Sequence, residues 1–493
     1  MKHTNAYMPT RRQILRARIQ SFGRDERGVM IVMTLLFFMM MLTLGGIAVD
    51  FMRFESRRAM LQSTADRAVL AAAKIVDTDD SGNPLYAKNP EDIVYDYFAK
   101  NGFDGAIQGT PDIYQDAGFN IVGVEARFEM DTFFLSMLGV DKFSAPAAAT
   151  AVEGISKTEV SLVVDISGSM QQTIPTSDGS AKTRMDAMQS AATKFVENML
   201  IEKYEDKISV SLVPYTEQVN IGQTLLAGLN VTPRHNYSHC IEFESGDFNK
   251  LSIDTAYPYE HMQHVQFNGP RASEGLSSTD NTTCPKHSYE RIIPMSQDLD
   301  NFRIEIAKLK PRAGTSIFVG LKWGLALLDP SMASVLAPIL AGGPFAGRPA
   351  AYAQTGQASQ TQKVLVMMTD GQNDRSYRLH DQFASTPGHF ANWNSMNWWY
   401  FKNYPGGGRN FNSWAYQKYD NPTGNFYMQQ LCSKAKLKGV IIYAVAVDAT
   451  TDGSSQMSQC ASSPSHFFDA TGNELDDIFT AIARQITELR LSL

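Results

Sequence analysis

The sequence predicts a doubly wound α/β domain carried behind one N-terminal membrane helix and a small α+β module. Three observations predict it. A charge-free apolar run covers 28–49, a strictly alternating stretch covers 122–131, and from Val160 onward short β-branched runs alternate with helical periodicities. Strands that alternate with helices in this way imply a mostly parallel sheet covered on both faces.

The elements follow in chain order. The run 28–49 has 22 residues, about 33 Å at ~1.5 Å per residue, enough to cross a hydrocarbon core of about 30 Å. A cleaved signal peptide fits less well, because its apolar part normally runs only about 7–15 residues and Asp50 and Phe51 follow the run directly. Before the run stand Lys2, Arg11, Arg12, Arg16, Arg18, Arg24 and Arg27 against Asp25 and Glu26. This excess of positive charge predicts a cytoplasmic 1–27 and an exported remainder. Leu61, Ala65, Ala68, Val69, Ala72 and Val76 then recur at helical spacing, so a helix continues beyond the membrane with one narrow apolar stripe. Asp79 to Pro84 breaks it. Val122, Val124, Ala126, Phe128 and Met130 alternate with polar or small residues as in a half-buried strand, and Ser144 to Val152 is its expected partner. Residues 50–152 therefore read as an extended helix plus a small α+β module.

The α/β domain is expected over 157–493. Its strands are read at Val160–Val164, Lys207–Val213, Lys363–Met368 and Gly439–Val447, and Leu475, Ile478, Phe479, Ile482, Ile486 and Leu489 form the face of a closing helix. Insertions interrupt it at 223–295, 331–360 and 375–426. The last holds Trp393, Trp398, Trp399 and Trp414, four of the five tryptophans.

Composition narrows the function. The chain has 493 residues, 44 Lys and Arg against 51 Asp and Glu, and a formal charge of −7; a general nucleic-acid binder would carry a strongly basic domain instead. All four cysteines, Cys240, Cys284, Cys432 and Cys460, lie beyond the membrane run. Pairing of sequence neighbours is the simplest of the three possible connectivities in an oxidising compartment. His235, His239, Cys240, Cys284 and His287 have a spacing that also suits a closed zinc site, so a zinc-stabilised surface adhesin unrelated to pili is one alternative.

The chemistry concentrates at loops. Asp165-Ile-Ser167-Gly-Ser169 directly follows the first strand of the α/β domain, Gly314-Thr315-Ser316 opens a helix at Ile317–Leu328, and Thr369-Asp370-Gly371 ends the strand Lys363–Met368. Carboxylates and hydroxyls are hard oxygen donors suited to Mg²⁺, and the carboxyl edge of a parallel sheet is where such folds place their sites. These three pieces resemble the von Willebrand factor A domain with its metal-ion-dependent adhesion site. The resemblance implies Ser167, Ser169 and Thr315 as direct ligands, Asp165 and Asp370 acting through water or as switchable ligands, and an acidic protein partner completing the coordination. A metal-dependent exported hydrolase, with Ser167 or Ser169 as nucleophile, is the enzymatic alternative. No histidine lies near the motif in sequence to serve as a base, and an enzyme is not expected.

Asp25-Glu-Arg-Gly28, the apolar span, Ala48-Val-Asp50 and the Ala-rich Ala65–Ala73 resemble the N-terminus of TadG-type proteins of the tight-adherence (Flp) pilus machinery, as do Val210-Ser-Leu-Val-Pro214-Tyr and Ala461-Ser-Ser-Pro-Ser-His466-Phe-Phe-Asp469. That resemblance implies a single-pass protein of a bacterial inner membrane, its C-terminal domain periplasmic, acting in pilus assembly or adhesion. Met33 stands where prepilin processing favours Glu, which argues against such cleavage. In the usual wiring of the fold, the tryptophan-rich insertion emerges beside the metal site, as a binding rim or as a satellite core. The insertions at 223–295 and 331–360 are expected to leave from the opposite edge.

Overall fold

The computed structural model describes residues 11–12, 16, 27–74, 77–78, 84–85, 89–116, 119–154, 157–175, 181–266, 279–352, 361–403, 409–471, 473–487 and 490–492. Most of the basic segment 1–27, together with Val76 and 79–83, lies outside the described residues. The chain divides into one unit of residues 1–154 with 489–493, and a second of 155–488.

The first unit is built on one helix, α1 (Arg27–Ala73), of 47 residues. Met30 to Leu42 is exposed on every face, whereas Leu61, Ala65, Ala68, Val69 and Ala72 are fully buried. The change from all-round apolarity to a single stripe separates a membrane span from a helix that packs on protein. That stripe covers an antiparallel sheet of β1 (Asp112–Asp116), β2 (Phe119–Asp131) and β3 (Lys142–Gly154). Val122, Val124, Ala126 and Phe128 of β2 lie opposite Ala151, Ala149, Ala147 and Ala145 of β3. Small residues on one strand and large ones on the other let the helix lie close to the sheet. α2 (Pro90–Lys100), begun by Asn89 accepting the Glu91 N–H, adds Val94 and Phe98 to the same core. The C-terminal strand Arg490–Ser492 pairs with β3. The expected domain boundary is corrected there: an open edge of β3 offers unpaired backbone groups, which those residues satisfy.

The second unit holds a six-stranded sheet of β4 (Lys157–Asp165), β5 (Ile208–Tyr215), β6 (Ile293–Ser296), β7 (Thr361–Thr369), β8 (Ile441–Val447) and β9 (Phe467–Ala470). The order is β6-β5-β4-β7-β8-β9. Only β6 is antiparallel to its neighbour. Side chains alternate between two cores, as a pleated strand requires. Val160, Leu162 and Val164 of β4, with Val364, Val366 and Met368 of β7, face α3 (Arg184–Met199), α4 (Leu299–Lys308) and α8 (Leu475–Thr487). Val163, Leu365 and Met367 face α5 (Ile317–Ala326), α6 (Asn421–Leu437) and α7 (Thr451–Cys460). α5 approaches unusually closely: a Cβ at Gly320 would lie 2.6 Å from the Tyr215 ring. α5 and the segment Pro330–Leu340 form a bent apolar pair, but Phe318, Leu321, Leu325 and Leu336 are fully buried in this core. Disulfides join Cys240 to Cys284 and Cys432 to Cys460, the neighbour pairing. With Cys240 and Cys284 joined to each other, no thiolate remains for a zinc site in that region.

Candidate functional site

Three loops converge at the carboxyl edge of the sheet. β4 delivers Asp165, fully buried, and its Oδ1 accepts the backbone N–H of Ser167 at 2.8 Å. Its Oδ2 accepts the Thr369 hydroxyl at 2.7 Å from the neighbouring strand and the Tyr215 hydroxyl at 3.3 Å. Ser167 and Ser169 stand with hydroxyls 3.0 Å apart, and Ser169 donates to Asp370 Oδ1 at 2.7 Å. The third loop is stitched to the first by backbone bonds: Arg312 N–H donates to Ile166, and Gly168 N–H to Ala313. This brings Thr315, buried, to the same edge, where Asp374 exchanges bonds with its backbone at 2.7 and 3.3 Å.

Burial raises the Asp165 carboxyl to about 7, and the charge of Asp370 adds to the effect. Two crowded carboxylates with two hydroxyls in contact are a hard-oxygen donor set whose charge repulsion a divalent cation relieves. Asp165, Ser167, Ser169 and Asp370 fit that group; Thr315 lies at the same edge, where its backbone bonds to Asp374. Among the described residues no group of three or more His, Cys, Asp or Glu has metal-site geometry, so this set depends on its hydroxyls.

The sequence reading missed Arg184. Its guanidinium donates to Asp370 Oδ2 at 2.9 Å and to the Asp448 carbonyl at 3.1 Å. The N-terminus of α3 places it. Thr183 accepts the Asp186 N–H at 3.1 Å and Asp186 accepts the Thr183 N–H at 2.8 Å, a reciprocal cap that makes Arg184 the first helical residue. The Thr-Arg-Met-Asp string signals the cap, but nothing in it names a partner 186 residues away. Tyr215 and Thr369, which hold Asp165, were missed for the same reason.

The insertions need one correction. The described part of 331–360, up to Tyr352, does lie at the opposite edge, where Arg348 donates to the Ser209 hydroxyl at 3.0 Å. The insertion at 223–295 does not. It follows β5, whose last residue Tyr215 is in register with Asp165, and it runs into the antiparallel β6. It therefore departs from the edge that carries the site, and Asn281 accepts the Ala313 N–H there at 2.8 Å. The tryptophan-rich insertion emerges on that edge as expected, but as a satellite core. Trp393, Trp398 and Trp414 are 1–3% exposed, packed with Phe390, Leu379 and Val265 of the first insertion. Arg378, fully buried, ties the tryptophan-rich insertion to Glu242 of the first insertion and to Glu217, just beyond β5, at 3.2 Å.

Fold and site together define a membrane-anchored protein with a mixed α/β unit bearing clustered carboxylates and hydroxyls at the end of its parallel strands. Residues 28–74 match the Tad family, described as "Putative Flp pilus-assembly TadE/G-like", so the N-terminal segment is TadE/G-like. No curated protein matches the chain. Among solved structures, the pilus adhesin SpaC of Lactobacillus rhamnosus GG is similar at 13% identity and a TM-score of 0.32, over 77% of this chain and 34% of that one. The chain thus spans about a third of the length of SpaC. The vWF domain of the type V pili tip protein Mfa5 from Porphyromonas gingivalis is similar at 13% identity and a TM-score of 0.33, over 67% of this chain and 95% of that one. The PilB minor pilin of Streptococcus sanguinis is similar at 12% identity and a TM-score of 0.32, over 77% of each chain.

Proposed function

We propose that this protein is a pilus-assembly or adhesion component of a bacterial inner membrane, with its N-terminus cytoplasmic and its C-terminal unit, a von Willebrand factor A domain, periplasmic. In this reading the domain grips an acidic protein partner at a Mg²⁺-dependent site formed by Asp165, Ser167, Ser169, Thr315 and Asp370. The observation that carries it is the contact chain from Ser167 through Ser169 to Asp370, set above a buried Asp165. The TadE/G-like segment supports the pilus setting. Held by these residues, Mg²⁺ would supply the positive charge for a partner carboxylate. The chain's residues do the rest: Thr369 and Tyr215 orient Asp165, and Ser169 holds Asp370 in place. The partly exposed Ser169 and exposed Gly168 leave an approach from solvent. Ser167 and Ser169 bond to each other and to a carboxylate rather than to a histidine, an arrangement suited to ligation more than to covalent catalysis.

The test is calorimetry of Mg²⁺ on the full chain in detergent, with partner capture in Mg²⁺ and in chelator. Asp165→Ala should abolish Mg²⁺ binding and the chelator-sensitive capture while preserving the fold. Unchanged Mg²⁺ affinity in that variant removes the site from the account.

A further inference from the structure

The loop joining β2 to β3 is out of character for a water-facing turn. From Thr132 to Val140 it carries no charge, and Phe133, Met137, Leu138 and Val140 are 65, 83, 58 and 41% exposed. Its position is fixed against the membrane helix. A Cβ at Gly46, inside the charge-free run, would collide with the Phe134 ring. Four residues on, the buried Asp50 carboxylate accepts the backbone N–H groups of Phe133, Phe134 and Leu135 at 2.7–3.2 Å. At ~1.5 Å per residue the Phe134 ring packs roughly 6 Å inside the level of Asp50, the first charge beyond the span.

The loop also satisfies its own backbone. Met137 N–H donates to Phe134, Gly139 to Ser136, Val140 to Leu135 and Thr132 to Asp141, while the Thr132 hydroxyl donates to Val140. A segment whose N–H groups are closed off by a carboxylate and by its own carbonyls can leave water at little cost; one with open groups cannot. Charges resume at Asp131, Asp141 and Lys142, and Arg53 lies 4.3 Å over the Phe133 ring. That is the pattern of an interfacial element, apolar below and charged above.

We propose that residues 132–140 are a second membrane-contact element, inserting Phe133, Met137 and Leu138 into the lipid leaflet beside the outer end of α1. The occupant of this apolar face is the bilayer itself, because the loop is continuous with the exposed apolar surface of α1 at Val49, Phe51 and Met52. With α1 already packed on its sheet through Leu61–Ala72, a second point of insertion fixes the tilt of both relative to the bilayer.

The experiment uses the full chain in phosphatidylcholine–phosphatidylglycerol vesicles, with a nitroxide at Met137→Cys and, separately, at Leu138→Cys and Lys100→Cys. The four native cysteines are in buried disulfides and do not compete for the label. Met137 and Leu138 labels should collide with oxygen several-fold more, relative to a water-soluble nickel chelate, than the Lys100 label does. Nickel collision equal to that at Lys100 overturns the proposal. So does protection from both reagents, which would mean a protein partner covers the loop.

Discussion

Arg184→Gln separates a competing cation from a structural partner. Asp370 has both oxygens engaged, Oδ1 by Ser169 at 2.7 Å and Oδ2 by Arg184 at 2.9 Å. Its side chain is fully shielded, and that of Arg184 is 13% exposed. A hydrogen bond to a charged group contributes about 1.5–3 kcal/mol. Without metal, the Gln variant should therefore lose about 2 kcal/mol of unfolding free energy, since Ser169 still holds one oxygen. With metal the sign reverses. The site gains one unit of net negative charge and no guanidinium has to yield Asp370, so Mg²⁺ should bind roughly 10-fold tighter, at ~1.4 kcal/mol per decade. Saturating Mg²⁺ should then restore much of the lost stability by mass action. Burial and the charge of Asp370 place Asp165 at about 7, so affinity should fall as pH drops below that value and Asp165 takes up a proton. Calorimetry on the full chain in detergent, paired with urea unfolding in chelator and in Mg²⁺, reads both effects. Lower stability with unchanged or weaker Mg²⁺ affinity would refute the reasoning and leave Arg184 a structural partner. A parent protein that binds no Mg²⁺ would instead count against the metal reading itself.

Two further outcomes concern the scaffold. Replacing both cysteines of the Cys240–Cys284 bridge, separated by 44 residues, should cost about 4 kcal/mol by loop-closure entropy; a change in urea-derived stability below about 1 kcal/mol would mean that the insertion is held by its other contacts. His235 and His264 are held neutral by burial, first, and by neighbouring cations, at about 3 and about 4, so each stabilises the fold above its unfolded value of ~6.5 and loses about 2 kcal/mol on going to pH 5. The double variant His235→Gln, His264→Gln should lose up to ~4 kcal/mol less than the parent between pH 7.5 and 5, and parallel pH dependences of the urea midpoint would rule the rings out as the acid-labile element.

The sequence by itself determined everything carried by local periodicity. The stripe Leu61–Ala72 and the alternating β2 repeat at spacings that only one secondary structure accommodates, while the span at 28–49 and the β-branched runs of the α/β sheet were legible from length and apolar composition. The positions of Asp165 and Asp370 were legible too, because Asp165 closes the β-branched run of β4 and Asp370 directly follows that of β7. Only the tertiary structure decided what those loops meet. Arg184 reaches Asp370 because a cap turns the start of α3 toward the sheet edge, and that contact joins residues 186 apart. The tryptophans are rich in aromatic area whether they form a rim or a core. Their burial followed from where the first insertion left the sheet, which depended on the antiparallel β6 coming after that insertion rather than before it. Strand direction at a sheet edge leaves no trace in composition or period. It is set by how the connection between two strands returns across the folded sheet, which no single segment encodes.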